Sequence, residues 1–215
     1  MVSSAPVANI PVQQILLRNV SWESYESLLA DHVDSSVPHF TYDRGMLEIV
    51  SPSTPHEEDN RTLARIVEII TEEWMIEVRN VGSMTFKRKD LQRGFEPDTS
   101  FYIQHEEQVR GRRQIQLSID PPPDLLIEIE VTNPAIAKLP IYAEVGVLEV
   151  WRSGGERVTI LVLDAGHYCE TDISTALSPL SADVLTRFVL DSRMMRSTEW
   201  VRSVRAWARE QAPVR

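Results

Sequence analysis

Cysteine is almost absent. Cys169 stands alone in 215 residues, so no internal disulfide can form and no thiol pair exists for a zinc site. A reducing compartment follows, and a cytoplasmic protein is the expectation. Glycine is scarce as well, at 8 residues, and neither a Walker-type loop nor a Rossmann glycine turn occurs, which excludes the common phosphate-cradling motifs. No apolar run approaches the roughly 20 residues of a membrane span, and the opening MVSSAPVANIPVQQ lacks a basic stretch followed by an apolar one. The five histidines show no zinc-ligand spacing and no Ser-His-Asp set is evident. Positive charge is in deficit: 22 Lys and Arg against 32 Asp and Glu give a net charge of -10 and a pI near 5.0. Broad electrostatic grip on a polyanion needs a basic surface, so histone-like binding is excluded. Narrower phosphate chemistry, with a metal ion supplying the positive charge, survives.

What is present is an ordinary globular composition, 42% apolar and 25% charged, long enough to bury a core without staples. Charge is uneven. Residues 1–60 hold two basic side chains against nine acidic ones, whereas residues 181–215 hold seven arginines against four acids. Lys87, Arg88, Lys89 and Arg93, then Arg110, Arg112 and Arg113, form two further basic groups. Any one such cluster is ordinarily solvated surface charge, but together they can form a phosphate-facing rim.

Ser21 is placed to cap a helix from Trp22 to about Asp31 whose Tyr25, Leu28 and Leu29 share a face. His39 to Tyr42 and Met46 to Val50, joined through Asp43-Arg44-Gly45, read as a hairpin. Pro55 and a Thr54…Glu57 capping box open a long helix carrying Leu63, Ile66, Ile70 and Trp74 at helical spacing to about Val78. Strands are expected at Val81–Lys87 and Pro97–Ile103, then a polar loop from Gln104 to Pro123. Further strands are expected at Leu125–Val131, Val147–Trp151, Val158–Leu163 and His167–Glu170. A C-terminal helical pair carries Leu185, Phe188 and Val189, then Trp200, Val201, Val204 and Trp207. The reading is an α/β domain: residues 1–20 as an N-terminal extension, 21–175 as the core and 176–215 as a helical extension.

Chemistry concentrates in Asp124-Leu-Leu-Ile-Glu-Ile-Glu-Val131. Alternation puts Leu125, Ile127, Ile129 and Val131 on one face of the strand and Glu128 with Glu130 on the other. Two acids on one face of a central strand need a cation, a metal or a wet cleft; on a sheet with one exposed face they need nothing. Asp98, in Pro97-Asp98, opens the neighbouring expected strand. If the two strands pair, Asp98, Glu128 and Glu130 converge on a hard ion such as Mg²⁺. Glu48 lies on the polar face of its hairpin strand, between Leu47 and Ile49.

The segments TYDRGMLEIVSPSTPHE, TFKRKDLQRGFEPDTSFYI, DPPPDLLIEIEVTNP and KLPIYAEVGVLEVWR resemble the Uma-two family, itself similar to restriction endonucleases with a PD-(D/E)xK core. The resemblance runs from roughly Trp22 to Trp207. It implies a restriction endonuclease-like mixed sheet flanked by helices, and a metal-dependent endonuclease that uses Mg²⁺ or Mn²⁺ to hydrolyse phosphodiester bonds in DNA. Carried over by residue, Asp98 and Glu128 are the metal-holding acids. Glu130 occupies the lysine position, where it can serve as a further ligand or as a base but supplies no positive charge. Lys138 is the candidate for a lysine moved onto the following helix, although Pro140 obscures where that helix starts. His56 and Glu48 match further family positions. A homodimer is the implied assembly. The competing reading, favoured by Glu130, is a nucleic-acid-binding or regulatory module that keeps the fold without turnover.

Overall fold

The computed structural model describes residues 13–32, 35, 37–130 and 134–212. In chain order the elements are β1 (Gln13–Arg18), α1 (Trp22–Asp31), β2 (His39–Asp43), β3 (Met46–Ser51), α2 (Thr54–Trp74), β4 (Arg79–Gly82), β5 (Phe86–Arg88), β6 (Arg93–Phe95), β7 (Thr99–Tyr102), α3 (Glu106–Val109), β8 (Leu125–Ile129), α4 (Leu139–Val145), β9 (Glu149–Ser153), β10 (Val158–Asp164), β11 (His167–Thr171), α5 (Ala182–Met194) and α6 (Ser197–Glu210).

The strands form two sheets, a five-stranded one ordered β1-β3-β2-β6-β5 and a six-stranded one ordered β11-β10-β9-β8-β7-β4. Only β8 and β9 pair in parallel, which requires a crossover, and α4 supplies it. Alternation along β8 assigns the layers. Leu125, Ile127 and Ile129 face the core made with Leu63, Ile66 and Ile70 of α2 and with Leu185, Phe188, Trp200 and Val204 of α5 and α6. Leu126 faces the opposite core, shared with Phe86 and Phe95 of the five-stranded sheet and with Ile141 and Tyr142 of α4. A third cluster, Trp22, Tyr25, Phe40, Tyr42 and Leu47, seats α1 on the five-stranded sheet. The result is a mixed α/β fold with helices on the six-stranded sheet and a C-terminal helical pair. Phe188 and Trp200 belong to the core rather than to an exposed surface, and the Trp200 indole donates to the Phe188 carbonyl at 2.8 Å.

Local chemistry accounts for most boundaries. Ser21 is extended and its hydroxyl accepts from Ser24 N at 3.1 Å, starting α1. The two residues linking β2 and β3, Arg44 and Gly45, both have positive φ, 49° and 92°, the geometry whose twist suits a two-residue hairpin.

Several expectations need correction. The Thr54…Glu57 capping box does not form, because α2 is capped at Ser53, without a side-chain bond, and Thr54 is already helical. That helix ends at Trp74, where Met75 turns left-handed, rather than near Val78. The single strand expected at Val81–Lys87 is two: a bulge near Asn80 and the positive φ of Gly82 end β4 on one sheet, and the chain crosses to β5 on the other. β8 ends at Ile129, and Val131 lies outside the described residues. Residues 13–18, read from sequence as part of an extension, form β1, paired with β3 along its whole length.

Many of the basic side chains pair with acids of the same molecule. Arg205 reaches Glu72 and Glu73, Arg209 reaches Glu73, and Arg193 reaches Asp59, so these C-terminal arginines join the last two helices to α2. Lys87 pairs with Glu26, Arg88 with Asp90, Arg93 with Asp43 and Glu144, Arg110 with Glu106 and Arg112 with Asp120.

Candidate active site

Antiparallel pairing of β7 with β8 sets Thr99 opposite Ile127, so the residues one step further, Asp98 and Glu128, come face to face at one end of the six-stranded sheet. They lie under the β2–β3 hairpin, the first turns of α2 and the start of α4, each of which contributes a side chain.

Asp98 is held on every side. His39 Nδ1 of β2 lies 3.4 Å from one carboxylate oxygen, His56 Nε2 of α2 lies 3.3 Å from the other, and Ile129 N donates to that second oxygen at 2.7 Å. One turn after His56, Asn60 donates from Nδ2 to the Asp98 carbonyl at 3.1 Å and accepts from the Thr99 hydroxyl at 2.9 Å. Glu128 is bound from a single helix face: Lys138 Nζ donates to one oxygen at 2.8 Å, and the Tyr142 hydroxyl, four residues on, donates to the other. Pro140 falls in the first turn of α4, where a missing N–H costs nothing, so the helix begins at Leu139 and Lys138 reaches the site.

These groups surround a cavity of about 20 Å³ lined by His39, Glu48, His56, Asp98, Glu128 and Lys138 among others, enough for one water or one small ion. A far larger cleft, about 1210 Å³, opens between α1, β5 and residues 114–118, away from the acid pair. Size and chemistry therefore diverge, and the acid pair marks the site.

The electrostatics follow from burial and neighbours. Burial pushes the Asp98 carboxyl up, but the bond from His39, the charges of Lys138 and His56 and the Ile129 N–H outweigh it and hold the group below its ordinary range. Glu128 is raised, by burial first and by the like charge of Asp98, against the pull of Lys138 and Tyr142. Burial lowers Lys138, yet Glu128, Asp98 and Glu48 more than compensate and keep it charged. His39 is raised because Asp98 outweighs its burial, and the Tyr142 hydroxyl is pushed far up, by burial and then by Glu128.

Of the residues expected from sequence, Asp98, Glu128, Lys138, His56 and Glu48 line this cavity. Glu130 does not. It sits one residue beyond β8, half exposed, with its carboxylate 2.8 Å from Arg152 Nε of β9. Glu48, 1% exposed, turns its carboxylate to Gln14 of β1 and to the backbone N–H of Ala135, 2.7 Å away. His39, Asn60 and Tyr142 were not expected. Tyr142 had a sequence signal, four residues from Lys138, as did Asn60, four residues from His56; His39 had none beyond its place on the hairpin.

Among the described residues, no group of three or more His, Cys, Asp and Glu side chains is arranged to hold a metal ion. The donor chemistry nevertheless fits a hard divalent ion: two facing carboxylates, one of them raised by burial and then by the other's charge, border a cavity of ionic size. Mg²⁺ commonly takes only one or two protein carboxylates and fills its remaining positions with water and substrate oxygens.

Among curated proteins, no match is found. The fold is similar to the crystal structure of a putative nuclease belonging to DUF820 from Anabaena variabilis, with a TM-score of 0.50 and 14% identity over 75% of this chain and 98% of that one. At that identity the likeness concerns the fold. A family model, Uma2, described as "Putative restriction endonuclease", matches residues 22–193, a span that includes all five of the expected residues lining the cavity. The chain therefore belongs to the Uma2 family, the family of the four sequence segments noted at the outset.

Proposed function

We propose that the chain is a metal-dependent endonuclease hydrolysing phosphodiester bonds in DNA, with Asp98 and Glu128 holding Mg²⁺ or Mn²⁺. The observation that carries this reading is the buried, facing pair of acids with Lys138 bonded to one of them. The ion, when bound, supplies charge that lowers the pKa of a water and neutralises the scissile phosphate. His39, His56 and the Ile129 N–H fix the Asp98 carboxylate, and Tyr142 fixes that of Glu128, so neither must reorganise on binding. Lys138 brings a positive charge to the spot where negative charge grows on the phosphate, the role that Glu130 cannot fill. Glu130, paired with Arg152 on the rim, has no place in this ligand set.

Supercoiled plasmid is the direct substrate. Nicking is expected with millimolar Mg²⁺ or Mn²⁺ and is expected to vanish in Asp98→Asn, Glu128→Gln and Lys138→Ala. Metal-independent cleavage, or wild-type rates in both acid variants, would sink the proposal, and an RNA panel tests the choice of DNA. The paired basic clusters favour the second reading, a binding or regulatory module without turnover. A divalent-ion shift in the melting temperature that is lost in Asp98→Asn supports the first; no shift supports the second. A homodimer is proposed on the edge strand β1, where Ile15 and Leu17 are exposed, and sedimentation tests it. Among the described residues no helix is long and apolar enough to cross a membrane; cytoplasmic residence is proposed on the lone, exposed Cys169.

A further inference from the structure

Glu48 lines the cavity, yet its hydrogen bonds go to none of the groups that hold Asp98 and Glu128. Its Oε1 accepts two hydrogen bonds, from Gln14 Nε2 on β1 and from Ala135 N, three residues before Lys138. The carboxylate is almost fully buried, and both of its recorded bonds are to donors that position a neighbouring segment. The Ala135 segment is pinned at two further points: Ile136 is buried among the apolar residues beneath α4, and Arg93 donates to the Pro140 carbonyl at 2.8 Å. Between those pins stands Lys138, whose ammonium must meet Glu128.

From this geometry we infer that Glu48 is a positioning residue: together with Gln14 it latches the segment that delivers Lys138 to Glu128, and it is not a metal ligand. The latch starts in β1, which lies before the family-matched span, so an element from outside that span completes the site. A single acceptor oxygen receives both bonds. A latch therefore needs an acceptor at this place, whereas a metal ligand needs the negative charge. Glutamine keeps the acceptor and loses the charge, which separates the two roles.

The catalytic consequence rests on the phosphodiesterase reading above; the latch itself does not, so the test has two readouts. Hydrogen exchange across residues 134–142 is measured on the full chain as wild type, Glu48→Gln, Glu48→Ala and Gln14→Ala. Exchange in that stretch is expected to rise about tenfold in Glu48→Ala, the factor one lost buried hydrogen bond carries, to rise less in Gln14→Ala, and to stay near wild type in Glu48→Gln. Nicking is expected to follow the same order, through kcat rather than KM, with the Mg²⁺ concentration for half-maximal rate unchanged in Glu48→Gln. Unchanged exchange in Glu48→Ala overturns the latch. Glu48→Gln behaving like Glu48→Ala in nicking, or needing several-fold more Mg²⁺, makes Glu48 a charge-bearing ligand and overturns it too. Should Glu48→Ala fail to fold, Glu48→Gln and Gln14→Ala decide alone. A wild type without nuclease activity removes the functional reading, while the exchange data still judge the latch.

Discussion

Removing Lys138 should harm stability and activity together, and removing its partner as well should restore only one of them. At 2.8 Å and an effective dielectric of 20, the raw attraction between Lys138 and Glu128 is about 6 kcal/mol, most of it offset by the desolvation of both ions. Taking one partner away leaves the other buried without that compensation, a loss of about 3–5 kcal/mol for a fully buried pair. Side-chain exposures of 21% for Lys138 and 11% for Glu128 place this pair at the lower end, about 3 kcal/mol for Lys138→Met. Glu128→Gln should cost less, because Asp98 remains to face the ammonium and a like charge has gone. The double variant Glu128→Gln/Lys138→Met should return to within about 1 kcal/mol of wild type, since a neutral pair replaces the ionic one. Urea unfolding of the four proteins measures the coupling directly. Nicking is expected to be lost in all three variants, so the double variant is stable and inactive. Strictly additive stability losses would refute the buried-pair argument, and activity in the double variant would remove Lys138 from the chemistry.

Three other outcomes follow from the packing. Glu149 is a buried carboxylate that accepts from Trp151 Nε1 and the Ser174 hydroxyl on one oxygen and from Thr175 and Ala176 N–H on the other. Glu149→Gln must turn an NH₂ toward one pair of donors and should cost about 2 kcal/mol in urea unfolding; wild-type stability contradicts this. Glu73, bonded by Arg209 and then Arg205, has its carboxyl held below the ordinary range. Its contribution is thus present above the unfolded-state value and lost as pH falls through the lower folded-state value. The stability gap between wild type and Glu73→Gln should shrink over that acid range, and a gap that widens on acidification reverses the assignment. A Cβ on Gly94 of β6 would run into the Tyr25 ring, itself stacked on Tyr42 at 4.8 Å, so Gly94→Ala should lower the melting point through roughly 1–3 kcal/mol of overpacking.

Where local chemistry decides, the chain was legible. The Ser21 cap, the Asp43-Arg44-Gly45 turn, the period of α2 and the apolar face of β8 each depend on neighbours within a few residues, and all four elements are present. Distant pairing was not legible. Gln13–Arg18 carries no turn signal, and its partner β3 lies some thirty residues along the chain, so nothing local marks it as a strand. The break between β4 and β5 depends on a change of sheet, invisible to a propensity that runs smoothly through Val81–Lys87. In the site, Asp98 and Glu128 could be related only by supposing that their strands pair, and the observed register bears that supposition out. Glu130 continues the ladder, its N–H bonded to the Ser153 carbonyl at 2.8 Å, but its carboxylate turns to Arg152 on β9, a partner that sequence spacing does not show. For the basic clusters, sequence shows the cations but not the acids of α1 and α2 that many of them meet.

The cavity draws on two sheets and two helices, with contributing side chains spread from His39 to Lys138 and their supports reaching back to Gln14. No single element contains it. During synthesis a nascent polypeptide that ends before α4 lacks Lys138 and Tyr142, the two side chains that hold Glu128. The acid pair and its lysine therefore come together only when the chain from Gln14 through α4 has folded.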